Sequence, residues 1–388
     1  MNAYPMSAAP AAAGARPPTS RIVFLDLARA AAVLFMVQGH TIHQLLDQVY
    51  EPTLVFQSWL FLRGLTSCMF LLLSGFAFSV ASDKYWDDHR GRWRRVARRL
   101  IRFSFFLGLG YLIHFPMGRF AHLEFASDER WRSFLQVDVL QVVAVSLLLL
   151  QGLILLLGTR RRFAVASALV AGVIALATPL MWSRTWVDGV PLWLASYLSS
   201  DTGSIFPFFP WGTYLFAGAA LGMAYARRAA GHSPARPAAS LAWLGGMLAM
   251  AGLVGFLLPF QPLGTVDPWR AGPAMLLIRL GLIFLVLGGF VAASRWVPRL
   301  PRSIQALSQE SLMIYVVHVA ALYGSLWAPG LGQVLGRQDL FHTVAWIGVL
   351  FVSMTFLAWV WNQTKRQRPL AIHVARAAIA VALIWPLI

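Results

Sequence analysis

Apolar residues run along this chain in long unbroken stretches, separated by short segments in which Arg, Asp, Pro and Gly return. A helix rising ~1.5 Å per residue needs roughly 20 apolar residues to cross a hydrocarbon core of ~30 Å. Eleven stretches meet that length, at about 22–44, 54–82, 93–115, 133–158, 162–182, 206–227, 240–258, 271–293, 304–326, 342–362 and 370–388. They predict an all-α, polytopic integral membrane protein of eleven transmembrane helices, or ten if one of the weaker stretches (162–182 or 370–388) does not cross. Residues 1–20 are Ala- and Pro-rich without periodicity, which predicts a disordered tail. The longest loop between stretches, about 183–205, has room only for a short re-entrant or interfacial helix at PLWLASYL, so 21–388 reads as a single transmembrane domain. The first stretch is too long for a signal-peptide core, and no cleavage site follows it, so it is expected to remain in the mature protein.

Composition agrees. The chain is 58% hydrophobic and only 12% charged, where a soluble domain has ~45–50% apolar residues. A net charge of +17 would suggest nucleic acid in a soluble protein. Here the basic residues sit in short loops between apolar runs, so topology explains them and no nucleic-acid partner is expected. With a cytoplasmic N-terminus, 22 of the 32 Lys and Arg residues fall in inner segments. Six fall in outer loops: Arg119, Arg130, Arg132, Arg184, Arg270 and Arg337. Cationic loops stay in the cytoplasm, so this is the expected orientation, in a bacterial inner membrane. The single cysteine, Cys68, lies in an apolar run and excludes disulfides and cysteine-based metal sites; no metal is expected. No internal repeat is visible, which counts against many transporter folds. Gly218 and Gly222, in GAALG, read as close helix packing rather than chemistry.

The first stretch, RIVFLDLARAAAVLFMVQGHTIHQ, carries Asp26, Arg29 and His40. Charged groups inside a span cost on the order of 3 kcal/mol each, so they usually mark function. Arg29 and His40 are eleven positions apart, which is roughly 16 Å and about three helical turns, so both point to nearly the same face. Assigning depth along the other stretches brings His40, Arg63, His114, Asp138 with Gln141, Arg279 and His318 into one outer layer. Each alone has an ordinary reading: a structural histidine, an arginine snorkelling to headgroups, an aspartate paired with an arginine. Their shared depth favours one polar cavity. Arg29 belongs to the inner half, and its ordinary reading is an intrahelical pair with Asp26. The run RGRWRRVARRLIR (90–102) is an inner topology signal, and its Arg98, Arg99 and Arg102 can also hold a phosphorylated cytoplasmic ligand.

These residues resemble the transmembrane acyltransferase superfamily. LDLARAAAVLFMVQGH is similar to the Arg-x10-His signature of the acyltransferase-3 family, here Arg29 and His40, and CMFLLLSGFAFS (68–79) follows as in that superfamily. VDVLQVVAVS (137–146), FPFFPWGTYLFAGAALG (206–222) and LSQESLMIYVVH (307–318) resemble the heparan-alpha-glucosaminide N-acetyltransferase catalytic family and its bacterial relatives. The resemblance covers most of residues 21–325. It implies ten or eleven transmembrane helices and transfer of an acyl group, usually acetyl, from cytoplasmic acyl-CoA to a sugar or glycolipid acceptor across the membrane. It implies His40 as the catalytic histidine, Arg29 on the donor side, and roles for Asp138, Gln141 and His318. The chain departs from the pattern in two ways. No periplasmic hydrolase-like extension is expected from this sequence, and Gln141 is followed by Val142 where relatives often carry a basic or polar residue.

The residues fit that chemistry. Inner arginines can hold the CoA phosphates, and the thin pantetheine arm can follow the Arg29-to-His40 face outward. His40 can deprotonate the acceptor or take the acyl group itself, and Arg63 with Arg279 can stabilise an oxyanion. The expected partners are therefore an acyl-CoA donor as co-substrate, a glycan or glycolipid acceptor, and the bilayer. The rival class is a proton-coupled transporter or a flippase using the same buried groups as a relay.

Overall fold

The computed structural model describes residues 22–86, 93–115, 120–183, 186–230, 237–258, 267–297, 299–325 and 328–385. The tail expected to be disordered at 1–20 lies outside them, as do Arg21, Arg90, Arg92, Arg119, Arg184 and Arg236 of the charge tally. The described chain is a succession of helices. The first half runs α1 (Val23–Leu45), α2 (Leu54–Asp83), α3 (Trp93–Ile113), the short α4 (Asp128–Leu135), α5 (Val139–Leu157), α6 (Arg160–Met181) and the short α7 (Leu192–Leu198). The second runs α8 (Phe208–Ala230), α9 (Pro237–Leu257), α10 (Pro273–Ala293), α11 (Arg302–Gln309), α12 (Ser311–Tyr323), α13 (Leu331–Leu335), α14 (Leu340–Gln367) and α15 (Pro369–Ile384). Seven of these, α1, α2, α5, α6, α9, α10 and α14, are long and apolar enough to cross a bilayer. The all-α, polytopic membrane architecture expected from the apolar runs is therefore present. The α7 helix occupies the PLWLASYL segment.

Two stretches differ from expectation. The one drawn at 133–158 becomes the crossing helix only at Val139, because Asp138 caps α5, and residues 128–135 form their own helix capped by Ser127. The one drawn at 304–326 is two helices meeting at Glu310, whose backbone (φ −102°, ψ 22°) leaves the helical region. The buried Glu310 carboxylate accepts from Lys365 and Asn362 of α14, so the break is tied to a polar cluster between helices.

Long helices alternate in direction, and side chains join their ends. At the Arg-rich end, Arg160 Nε meets Asp83 Oδ1 at 2.7 Å, and Ser308 Oγ donates to Asp26 Oδ1 at 2.8 Å. At the opposite end, Arg337 Nη1 donates to the carbonyls of His43 (2.7 Å) and Leu46 (2.9 Å). Gln338 N donates to Leu45 O, and Asp47 N donates to Gln338 O. The last carbonyls of a helix lack internal partners and favour a cation, so Arg337 and Gln338 close α1 a few residues beyond His40.

The core forms where α2 and α8 approach closely. A Cβ on Gly222 would lie 2.5 Å from Phe76 O, and one on Gly218 or Gly75 would overlap Leu72 O or Leu215 O. Backbone rests on backbone there, flanked by the buried Leu71, Leu72, Phe76, Leu215 and Ala219. The GxxxG pair thus works as a packing device, as its spacing predicts. The outward faces are apolar instead of charged. On α9, for example, Trp243, Met247, Met250, Val254 and Leu257 are exposed, which suits a hydrocarbon solvent.

Candidate active site

His40 lies five residues before the end of α1 and meets His318 of α12. Their rings stack at 5.0 Å with 22° between planes, and His40 Nδ1 is 2.8 Å from His318 Nε2. Protons can be assigned from the outer partner inward. His318 Nδ1 is 2.7 Å from Ile314 O, and a carbonyl only accepts, so Nδ1 of His318 carries hydrogen. A neutral His318 then offers Nε2 as an acceptor, so His40 donates from Nδ1. In a neutral His40 the free lone pair is consequently on Nε2. This is the arrangement in which an orienting partner fixes the tautomer of a working imidazole. His318 is fully buried, whereas His40 is partly exposed, so the free nitrogen belongs to the accessible ring.

Around this pair lies a second group of contacts. Tyr315, one turn before His318, packs edge-to-face with it, ring centres 5.9 Å apart, and donates its hydroxyl to Asp138 Oδ2 at 3.1 Å. His114 Nε2 lies 3.4 Å from the same oxygen. Tyr323 packs edge-on to His40 at 6.0 Å, and its hydroxyl lies 3.3 Å from His43 Nδ1. Arg63 packs on the backbone of Gly39, next to His40, with its guanidinium 5.7 Å from the Trp59 ring centre. Arg63 and Asp138 are the full charges near enough to act on His40. The expected outer layer is thus largely assembled, from α1, α2, the end of α3, the start of α5, and α12.

Some members have other duties. Asp138 pairs with His114 and Tyr315 and caps Val139 N at 2.6 Å, instead of pairing with Arg63 or Arg279. Gln141, expected in the cavity, is fully buried and spent on the helix start: its Oε1 accepts from Asp138 N and its Nε2 donates to Gln136 O. Gly110 of α3 packs directly on it. Arg279 is buried beside Tyr214 and Cys68, away from the histidine pair, and shares with Arg63 the wall of a cavity of about 1040 Å³.

The proposed donor-side arginines do not form one cluster. Asp26 and Arg102 are the charges that act on Arg29, while the Asp26 carboxylate takes its hydrogen bond from Ser308. Arg99 turns inward, donating to Ser82 Oγ (2.9 Å) and Gln151 Oε1 (3.2 Å). Arg98 is exposed and donates to Arg94 O within its own helix, and Arg102 is exposed beside Phe106. Arg29 and Arg102 are thus the two of these arginines left without a hydrogen bond to a side chain or carbonyl among the described residues, both toward the basic end.

Sequence reasoning missed Tyr315, Tyr323 and Arg337. Tyr315 stands three positions before His318, and that spacing puts both on one face of a helix; it was the available signal.

Helices throughout the described residues, seven of them of membrane-crossing length, and a chain of polar side chains among them define an integral membrane protein with an internal polar site. Residues 21–257 match the model described as heparan-alpha-glucosaminide N-acetyltransferase, catalytic, and the chain belongs to that transferase family. No curated protein and no solved structure matches the chain. The matched segment runs from α1 to the end of α9 and contains His40, Arg63, His114 and Asp138. His318, Tyr315 and Arg279 come from beyond it.

Proposed function

We propose that this protein is a membrane acyltransferase that moves an acyl group, most simply acetyl, from acyl-CoA to a glucosaminide-type acceptor carried on a glycan or glycolipid. His40 is the catalytic residue and His318 its positioning residue. The observation that carries the reading is the relay from Ile314 O through His318 to His40, which leaves His40 Nε2 free to accept a proton. Family membership supports the transfer chemistry.

The donor approaches from the basic end, where Arg29 and Arg102 supply charge for its phosphates, and its thioester arm follows α1 toward His40. The acceptor arrives from the opposite end. As the acceptor amine or hydroxyl attacks the thioester carbonyl, His40 Nε2 takes its proton. The carbonyl then reforms, the carbon–sulfur bond breaks, and the departing thiolate takes that proton from the imidazolium. The second route starts from the same free lone pair: Nε2 attacks the thioester, the carbon–sulfur bond breaks and CoA thiolate leaves, and the acceptor then attacks the acyl-histidine, freeing Nε2 while its proton passes to the thiolate. Arg63, beside Gly39, is the cation nearest this chemistry and suits a developing oxyanion.

The test uses purified protein in detergent with radiolabelled acetyl-CoA and glucosamine or a glucosaminide. Binding of acetyl-CoA and acetylation of the acceptor are expected. His40→Ala is expected to lower kcat by about 100- to 10,000-fold. Acid-quenched protein carrying label before acceptor is added selects the acyl-histidine route. Absence of acetyl-CoA binding favours the transporter reading, and wild-type turnover in a well-folded His40→Ala variant refutes the mechanism.

A further inference from the structure

The cavity beside Arg63 lies between α2, α10 and the loops that precede α8 and α10, at the end of the molecule where His40 sits. Its rim is apolar and exposed, formed by Leu54, Leu60, Leu62, Ile205 and Trp269. Its inner wall is polar and cationic. Arg279 is 8% exposed and lies beside Tyr214, with no carboxylate paired to it among the described residues; its Nε is buried with no partner. The indole N–H of Trp211, on the same wall, is likewise buried and unpartnered. Arg63 adds a second cation, held by the Trp59 ring and not by a carboxylate. Arg270 adds a third at the rim, paired loosely with Asp267 at 3.9 Å. No acidic side chain lines the cavity among the described residues.

A buried guanidinium without a counter-charge is costly in an apolar surrounding. Two residues with unpartnered buried donors in the wall of one cavity, with apolar side chains at its rim, suit an amphiphile with an anionic head. Phosphate meets the donors best, since arginine binds its oxygens in pairs. Arg63 is also the residue that packs on Gly39, so the head of such a ligand sits next to the His40 site.

We propose that this cavity is the acceptor site, and that the acceptor is a sugar carried on a lipid phosphate, entering sideways from the membrane with its phosphate on Arg279 and Arg63. The inference rests on the acyltransferase reading above and names the acceptor's class. Lateral entry explains how a site with short outer loops selects its substrate: the lipid tail and phosphate supply the binding, and the sugar reaches His40.

The experiment measures binding apart from transfer. Purified protein in detergent is titrated with farnesyl phosphate, farnesol, inorganic phosphate and phosphatidylglycerol, and bound ligand is counted by native mass spectrometry. Farnesyl phosphate is expected to bind at least about ten times more tightly than each of the others. Arg279→Gln removes a charge-assisted contact and is expected to weaken farnesyl phosphate by about ten- to a hundredfold without weakening farnesol. Arg279→Lys is expected to restore part of that loss. Arg63→Gln provides the same test if Arg279→Gln does not fold. Equal affinity for farnesyl phosphate and farnesol, or an unchanged affinity in folded Arg279→Gln and Arg63→Gln proteins, overturns the proposal. So does tighter binding of phosphatidylglycerol, which makes the cavity a seat for bulk lipid. If acetyl transfer depends on His40 but farnesyl phosphate does not bind, this inference fails while the acyltransferase reading stands. If acetyl-CoA does not bind, it is the underlying reading that fails.

Discussion

His318→Phe tests the relay most directly. Phenylalanine is close to histidine in size and shape, and His318 is fully buried, so the substitution keeps the packing of α12 against α1 while removing both nitrogens. His40 Nδ1 then loses its acceptor at 2.8 Å. A net hydrogen bond contributes about 0.5–1.5 kcal/mol, and a buried donor left without a partner costs about 1–3 kcal/mol. At 1.36 kcal/mol per tenfold in rate, those values bracket a fall in kcat of about 2- to 150-fold. His40 is partly exposed, so water replaces some of the lost bond, and a value of about tenfold is expected. The KM for acetyl-CoA should not change, since nothing on the donor path is touched. The decisive measurement is the double variant, by steady-state acetyl transfer. If His318 acts through His40, His318→Phe/His40→Ala loses no more than His40→Ala alone, because contacting residues that work as a unit do not add. Independent multiplication of the two losses would refute the relay, as would a His318→Phe change confined to KM.

Two further outcomes follow from the packing and from the basic end. Gly218→Val forces a branched side chain onto the Leu72 carbonyl, where even a Cβ overlaps. It should destabilise by at least the 1–3 kcal/mol typical of overpacking and lower the thermal unfolding midpoint in detergent, whereas Gly108→Val, at a position with open space, should not. Arg29→Ala should raise KM for acetyl-CoA by about tenfold or more with a smaller change in kcat, and Arg29→Lys should recover part of it; a pure kcat loss would move Arg29 away from donor binding.

The linear pattern of residues determined the class of this protein. Runs of apolar residues longer than ~18 leave no structure but a membrane-crossing helix, because backbone groups in hydrocarbon must be satisfied within their own segment. That argument is local, so it held for α1, α2, α6, α9, α10 and α14 without any knowledge of neighbours. The GxxxG pair in α8 was legible for the same reason: small residues at a four-residue spacing announce a close partner, although not which one. His40 and His318 were each visible as polar residues at a common depth, since depth follows from position along a helix.

Pairing was beyond that reach. His40 and His318 are 278 positions apart, and their 2.8 Å contact exists only because α12 packs against α1. Helical periodicity fixes which residues share a face of one helix; it does not say which two helices turn those faces together. The same limit hid the break at Glu310, which contains neither Gly nor Pro and is tied to Lys365 and Asn362 of another helix. It also hid the partners of Gln141 and Arg99, the first capping α5 and the second bonded to Ser82 and Gln151. Arg279 shows the converse. Sequence assigned it a depth, and only the packing around it showed a buried cation left without a counter-charge at the wall of a cavity. A polar side chain in a membrane must find a partner, and tertiary structure decides whether that partner is another residue or a ligand.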